Sequence, residues 1–378
     1  MSEARAARGM VERVLGGPSP RATFERILGL AVLCVLAAGP AIFSGYWVDT
    51  ILTETFIFGI AGASLIFLAA YGGMISLAQT ALMGISGYIL GNLVSKRGLQ
   101  GESKGLALAW DPTVALVVAI AVTTAIGLLM GAVAARSTGI YFLMLTLTYG
   151  VIAYYFFSQV TQFGGFSPIA GISRHMPGFI GNVLDHPNKL YYVALGTALV
   201  VYALIRYLVR TPFGLSLQGV RDDPVRMASL GYSVALHRTL AFGLAAFFAS
   251  VAGVLYVWWQ GQIAPGDVQL GSTINLLVMV IIGGLVSIEG AWVGAFTFFV
   301  IDTYVHDLSV PGLSFGGTLF GGTFNTIIGV IFLAIVVVSP DGLMGLWDRL
   351  MRLIFRGRGG GGAEVTSQTP QPVTEGGT

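Results

Sequence analysis

The sequence predicts an all-α polytopic membrane protein, and three observations carry that expectation. Of 378 residues, 55% are hydrophobic and only 10% are charged, against about 25% charged in soluble domains. The mean hydropathy is +0.80, so water is a poor solvent for most of the chain. Apolar runs recur along almost the whole length and leave no separate polar domain. One membrane domain therefore fits better than the two soluble domains that roughly 150 residues per domain would give.

A helix needs about 20 apolar residues to cross hydrocarbon, and that window marks about ten transmembrane or re-entrant helices. They fall at 27–46, 51–70, 73–94, 113–135, 140–160, 190–209, 239–259, 273–286, 290–306 and 322–338. The segments 273–286 and 290–306 are short and flank Ser287 and Glu289, the pattern of a broken or re-entrant pair. Basic residues are retained on the cytoplasmic side of a membrane. Of the 20 Lys and Arg, 15 fall in stretches that share a side with the N-terminus and 5 fall opposite, so both termini are expected in the cytoplasm.

This organises the chain as a basic cytoplasmic segment at 1–26, a transmembrane domain at 27–345 with an inner loop at 210–238, and a cytoplasmic tail at 346–378. Residues 359–378 are mainly Gly, Ser, Thr, Pro and Gln, a composition expected to be disordered. Ala37-Ala38-Gly39 imitates a signal-peptidase site, but the long charged lead and the charge parity favour a retained segment. Cys34, the sole cysteine, lies in the first apolar run, so an intramolecular disulfide or a cysteine metal cluster is impossible. A formal net charge of +2 is too balanced to suggest nucleic acid as a partner.

Many of the 53 glycines lie inside apolar segments, where they permit close helix packing and interrupted helices around a cavity. Tyr71-Gly72-Gly73-Met74-Ile75-Ser76 parallels Ile282-Gly283-Gly284-Leu285-Val286-Ser287, each at the cytoplasmic end of an expected span. A duplicated transporter fold would produce this echo. Non-helical backbone at membrane depth is tolerated where it faces a cavity. Ser76, Gln79, Tyr141, Thr146, Gly283, Gly284 and Ser287, all near expected discontinuities, are therefore the candidates for a translocation pathway.

Several chemistries are unsupported. Lys96, Lys104 and Lys189 follow Ser95, Ser103 and Asn188, so no lysine completes a phosphate-binding Walker loop. His175, His186, His237 and His306 show no metal-ligand spacing, and no Gly-x-Ser-x-Gly elbow occurs. Glu54 and Asp302 sit near outer span ends and Glu289 in the inner break, positions that suit interfacial solvation or capping, or else an aqueous vestibule lined by carboxylates. No span carries a mid-membrane carboxylate and histidine chain, so an ion-coupled secondary transporter has little to work with.

The longest inner loop is the most informative stretch. Asp223 can accept from free helix amides, Pro224 suits the first helical position, and Gly231 can take the left-handed turn that ends a helix. This spells a helix of about two turns over 223–230, with Val225, Ala228 and Leu230 beside Arg221, Asp222 and Arg226. Such a short rigid helix on the water side is a suitable lever for a cytoplasmic partner.

From here the sequence resembles the permease subunits of branched-chain amino acid ABC transporters, the LivM-type half of the pair. The resemblance spreads over roughly 50–345. It is carried by Gly73-Met74-Ile75-Ser76-Leu77-Ala78-Gln79 with Gly84 and Gly87-Tyr88, and by Ser137-Thr138-Gly139-Ile140-Tyr141-Phe142-Leu143-Met144-Leu145-Thr146-Leu147. Thr211-Pro212-Phe213-Gly214, the loop helix, Gly283-Gly284-Leu285 and Pro340-Asp341-Gly342-Leu343 continue it.

The resemblance implies a multi-pass inner-membrane subunit that is not itself an enzyme and binds no cofactor, with ATP and Mg on partner subunits. It implies a second homologous permease, two cytoplasmic ATP-binding subunits and an extracytoplasmic solute-binding protein. It also implies alternating-access import of Leu, Ile or Val, with Arg221, Asp222, Asp223, Pro224, Arg226, Ala228 and Gly231 in the coupling helix. One departure bears on the solute: Gly164-Gly165-Phe166-Ser167-Pro168-Ile169-Ala170-Gly171-Ile172 lacks the acidic residue that relatives carry after the fifth span. Urea and short-amide importers belong to the same family, so that loss keeps them as the alternative.

Overall fold

A computed structural model describes residues 20–95, 106, 108–172, 176–177, 187–307, 329, 333 and 342–356. The chain falls into two units, one of residues 1–30 with 347–378 and the other Ala31–Leu346. The described backbone is helical apart from its connections and one pair of two-residue strands.

Helix α1, Pro20–Ala37, is followed by a single turn at Gly39–Ile42 and then by α2, Trp47–Tyr71. The expected span 27–46 is thus interrupted. Pro40 lacks the amide that would continue α1, and Gly39 lies directly under the Tyr191 hydroxyl, where a side chain would not fit. Helix α3 is Gln79–Val94, α4 Pro112–Ala134, α5 Ile140–Gln159 and α6 Pro187–Arg210. Two short helices follow, α7, Pro212–Asp222, and α8, Pro224–Ser229. Then come α9, Val234–Gln260, α10, Leu270–Gly283, α11, Gly290–Asp307, and α12, Gly342–Arg356.

Five of these, α2, α4, α5, α6 and α9, are long and apolar enough to cross a membrane. The expected span 322–338 lies almost wholly outside the described residues, as does the tail beyond residue 356. The expected span 73–94 is helical only from Gln79, for reasons that belong to the functional region.

Helix starts follow capping chemistry. Asp111 accepts from the Thr113 amide at 2.9 Å, with Pro112 at the first position of α4. These Thr113 hydrogen bonds hold the exposed Asp111 carboxyl below its usual range. Ser233 opens α9 in the same manner, and Gly261, at φ +72, closes it.

Burial separates the centre from the periphery. The apolar windows of α2 and α9 are 89% and 72% buried, whereas those of α4, α5 and α6 keep most of their surface outward. Helix α4 turns one stripe inward, Ala115, Ala119, Thr123, Gly127 and Gly131, every fourth residue. Each of these is small. Gly127 lies against Ala246 of α9 so closely that any Cβ would collide, and Gly253 of α9 meets the Met83 carbonyl and Ser86 hydroxyl of α3 the same way. Small-residue contacts of this kind let transmembrane backbones approach where hydrophobic driving force between helices is weak.

At the far end of α9, β2, Gln262–Ile263, pairs antiparallel with β1, Ile169–Ala170. This pairing fastens the loop after α5 to the end of the central helix.

Candidate functional site: two helix breaks and a capped helix pair

The first break lies between α2 and α3. Helix α2 widens to a π-helical turn over Phe67–Tyr71, and Gly73 then takes φ +66, which lets the chain leave the helix. Three of the freed amides find partners. Met74 N bonds Leu68 O at 3.0 Å, Leu77 N bonds the Thr146 hydroxyl at 3.1 Å, and Ala78 N bonds Ser76 Oγ at 3.2 Å. The Ser64 hydroxyl of α2 donates to Gln79 Oε1 at 3.2 Å. Ser76, Gln79 and Thr146, expected near discontinuities, are therefore brought together around one, all three buried. Gln79 Nε2 is buried with no hydrogen-bond partner, a donor left over inside the break. Tyr141 is not part of this group: it is 77% exposed on the outer face of α5.

The second break lies between α10 and α11. Gly284 takes φ +111, so in both Gly-Gly pairs the second glycine adopts a conformation closed to other residues. Gly283 and Gly284 are buried, and the backbone of Gly342 packs directly on Gly284. Ser287 is half-buried, and its hydroxyl has no partner. Glu289 anchors the break to α6, forming an ion pair with Arg206 and accepting from the Tyr202 hydroxyl at 2.7 Å. Arg206 also donates to that hydroxyl at 3.1 Å and stacks over the Tyr202 ring. Burial pushes the Glu289 carboxyl up, but the hydrogen bonds from Tyr202 and Arg206 outweigh it and leave the group below its ordinary 4.5. The two breaks stand in one bundle, with the Thr80 hydroxyl of α3 hydrogen-bonded to that of Thr273 on α10.

The third component is the α7–α8 pair. Asp223 caps α8 by accepting from Arg226 N at 2.9 Å, Pro224 occupies its first turn, and Gly231 leaves it at φ +90, as the sequence predicts. The difference lies upstream. Residues 212–222 form a second helix, capped by Thr211 and started by Pro212, so Arg221 and Asp222 belong to the end of α7 rather than to α8.

Arg221, though exposed, reaches back to the first break. Its guanidinium bonds the Ala70 carbonyl at the end of α2 and pairs with Asp222 at 2.7 Å, and its stem lies 2.6 Å from where a Gly73 Cβ would stand. The helix pair is thereby pinned to the first break. On α8 the apolar Val225 and Leu230 are 76% and 66% exposed, flanked by exposed Asp222, Asp223, Arg226 and Ala228.

Sequence reasoning did not single out Ser64, Tyr202, Arg206 or Thr273. An arginine lying four residues before the end of α6, as Arg206 does, was the available signal, because a charge there needs a partner. No group of His, Cys, Asp or Glu among the described residues is arranged to hold a metal ion.

The long apolar helices around two glycine breaks are those of a multi-pass membrane protein. The chain belongs to the family described as branched-chain amino acid transport system / permease component, which matches residues 47–338. It is 27% identical over 283 residues to the high-affinity branched-chain amino acid transport system permease protein LivM of Salmonella typhimurium, covering 69% of this chain and 64% of that protein. LivM of Escherichia coli is 28% identical over 286 residues, covering 70% and 64%. The probable branched-chain amino acid transport permease protein LivH of Methanocaldococcus jannaschii is 25% identical over 158 residues, covering 41% and 48%. The match thus spans somewhat under two thirds of the two LivM proteins. No solved structure matches the chain.

Proposed function

We propose that the chain is the permease subunit of an ATP-binding cassette importer that moves branched-chain amino acids, Leu, Ile or Val, across the inner membrane by alternating access. It works with a second homologous permease, two cytoplasmic ATP-binding subunits that carry the ATP and Mg, and an extracytoplasmic binding protein. The segment 27–345 forms the transmembrane domain in about ten transmembrane or re-entrant helices, with both termini in the cytoplasm. The two Gly-Gly breaks mark an internal duplication, since each places a left-handed glycine at the same point of the echoed sequence. Ser76, Gln79, Thr146, Gly283, Gly284 and Ser287 line the pathway, and Tyr141, on an outward face, lines it from the side of the companion permease.

The observation that carries this reading is the exposed, doubly capped α8, joined through α7 and Arg221 to the first break. A ligand shifts an equilibrium only by its differential affinity for two states. An ATPase dimer that grips α8 differently when open and closed therefore drives the break through Arg221. Replacing both Asp222 and Arg226 with Ala should abolish ATP-linked uptake in reconstituted vesicles while leaving the protein folded. Unchanged uptake, or uptake that survives without ATP and collapses with the proton gradient, overturns the reading.

The absent acidic residue in the loop at 164–172 favours urea or a short amide as the second reading of the solute. Which radiolabelled solute the cognate binding protein retains decides between the two.

A further inference from the structure

Beside the first break a cavity of about 320 Å³ opens between residues 73–75, the turn joining α4 to α5, and the base of α9. Its wall is amphiphilic. Arg238 contributes a guanidinium whose Nε is buried and has no hydrogen-bond partner, and the ion pairs Arg206–Glu289 and Arg221–Asp222 leave it out. Ser137 and Thr138 add two hydroxyls, while Ile75, Ile140 and Leu143 supply an aliphatic surface.

Among the described residues no carboxylate is paired with Arg238, and a half-buried cation so placed is costly to keep beside apolar side chains. The planar guanidinium matches a carboxylate, and its interaction is screened less here than on an open surface. The volume is at the small end of ligand pockets, which run from about 300 Å³.

We propose that this cavity binds the carboxylate end of an aliphatic solute on the cytoplasmic side of the first break. Arg238 takes the oxyanion, Ser137 and Thr138 donate to it, and the hydrocarbon lies on Ile75, Ile140 and Leu143. The proposal rests on the permease reading and sharpens it, because urea and short amides carry no carboxylate for Arg238 to hold. It makes the cavity a release site whose occupancy slows return of the transporter to its outward-facing state.

The test is inhibition from the product side, which bypasses the binding protein. The complete transporter is reconstituted in phosphatidylcholine vesicles with ATP and either leucine or leucinol enclosed on the cytoplasmic face, and uptake of labelled leucine is measured. Enclosed leucine should slow uptake and leucinol should not. Arg238→Gln should raise the half-inhibiting leucine concentration about tenfold or more, the usual worth of a charge-assisted hydrogen bond. Arg238→Lys should restore most of it, an outcome that a merely structural arginine would not give.

Equal inhibition by leucinol, no inhibition of the wild type, or an unshifted Arg238→Gln curve overturns the proposal while leaving the permease reading intact. A shift seen only when phosphatidylglycerol is added assigns the guanidinium to a lipid headgroup and also overturns it. Absence of any ATP-driven leucine uptake by the wild type defeats the permease reading and this inference together.

Discussion

At the scale of single residues, the contacts that tolerate least change are those where a hydrogen replaces a side chain. Gly127 has no room before Ala246, so Gly127→Leu must separate α4 from α9. Overpacking of this kind costs about 1–3 kcal/mol, and thermal unfolding in detergent should show a clear fall in Tm. Glu289 makes a prediction about pH. Its folded value lies below the ordinary 4.5, so its ion pair contributes stability in full above that value and loses it as pH falls through the lower folded value. Unfolding temperatures should therefore drop as pH falls below about 4.5, and that part of the drop should vanish in Glu289→Gln; an identical profile for the variant refutes the assignment. The Gly-Gly pairs announce the breaks in the sequence. The partners that stabilise them, Thr146 for Leu77 and Arg206 for Glu289, lie 69 and 83 residues away, beyond the reach of any local pattern.

At the scale of elements, α8 was legible and α7 was not, although both begin with the same device. Asp223-Pro224 and Thr211-Pro212 are each a capping side chain followed by a proline. Gly214 and Gly219 dilute the helical signal of α7, yet they are there for packing: Gly214 lies on the Leu208 and Val209 backbone, and Gly219 under Met227. The opposite error occurs at residues 73–78, where apolar composition reads as helix and the backbone is instead irregular and partly bonded by side chains. Two variants separate support of the helix pair from its connection to the pathway. Asp223→Ala removes the cap of α8 at a cost of about 1 kcal/mol to that helix and should weaken binding of the ATPase subunits in pull-down measurements. Arg221→Ala leaves both helices capped but cuts the bond to Ala70, so ATP hydrolysis should continue while uptake per ATP falls several-fold. Intact coupling in Arg221→Ala would exclude that connection.

At the scale of the molecule, composition and apolar run length sufficed for the class, and charge asymmetry supplied an orientation that can be checked directly. With Cys34 replaced by Ser, a cysteine at Val225 should react with impermeant maleimide only in inside-out vesicles. One at Phe166 should react only in right-side-out vesicles, and labelling of both from one side contradicts the topology. Both positions are at least three-quarters exposed, so access is not limiting. What composition could not reveal is which helices are central, because burial depends on neighbours, and α2 and α6 are similarly apolar yet differ threefold in the share they bury. Helix α9 now has a wider meaning. Its 27 residues make a stiff rod roughly 40 Å long, starting a few residues after α8 and ending where β2 is stitched to the loop beyond α5. A torque delivered at one surface of the bilayer would therefore arrive at the opposite surface with little slack, and a protein resting on that far rim could sense the nucleotide state of motors it never touches.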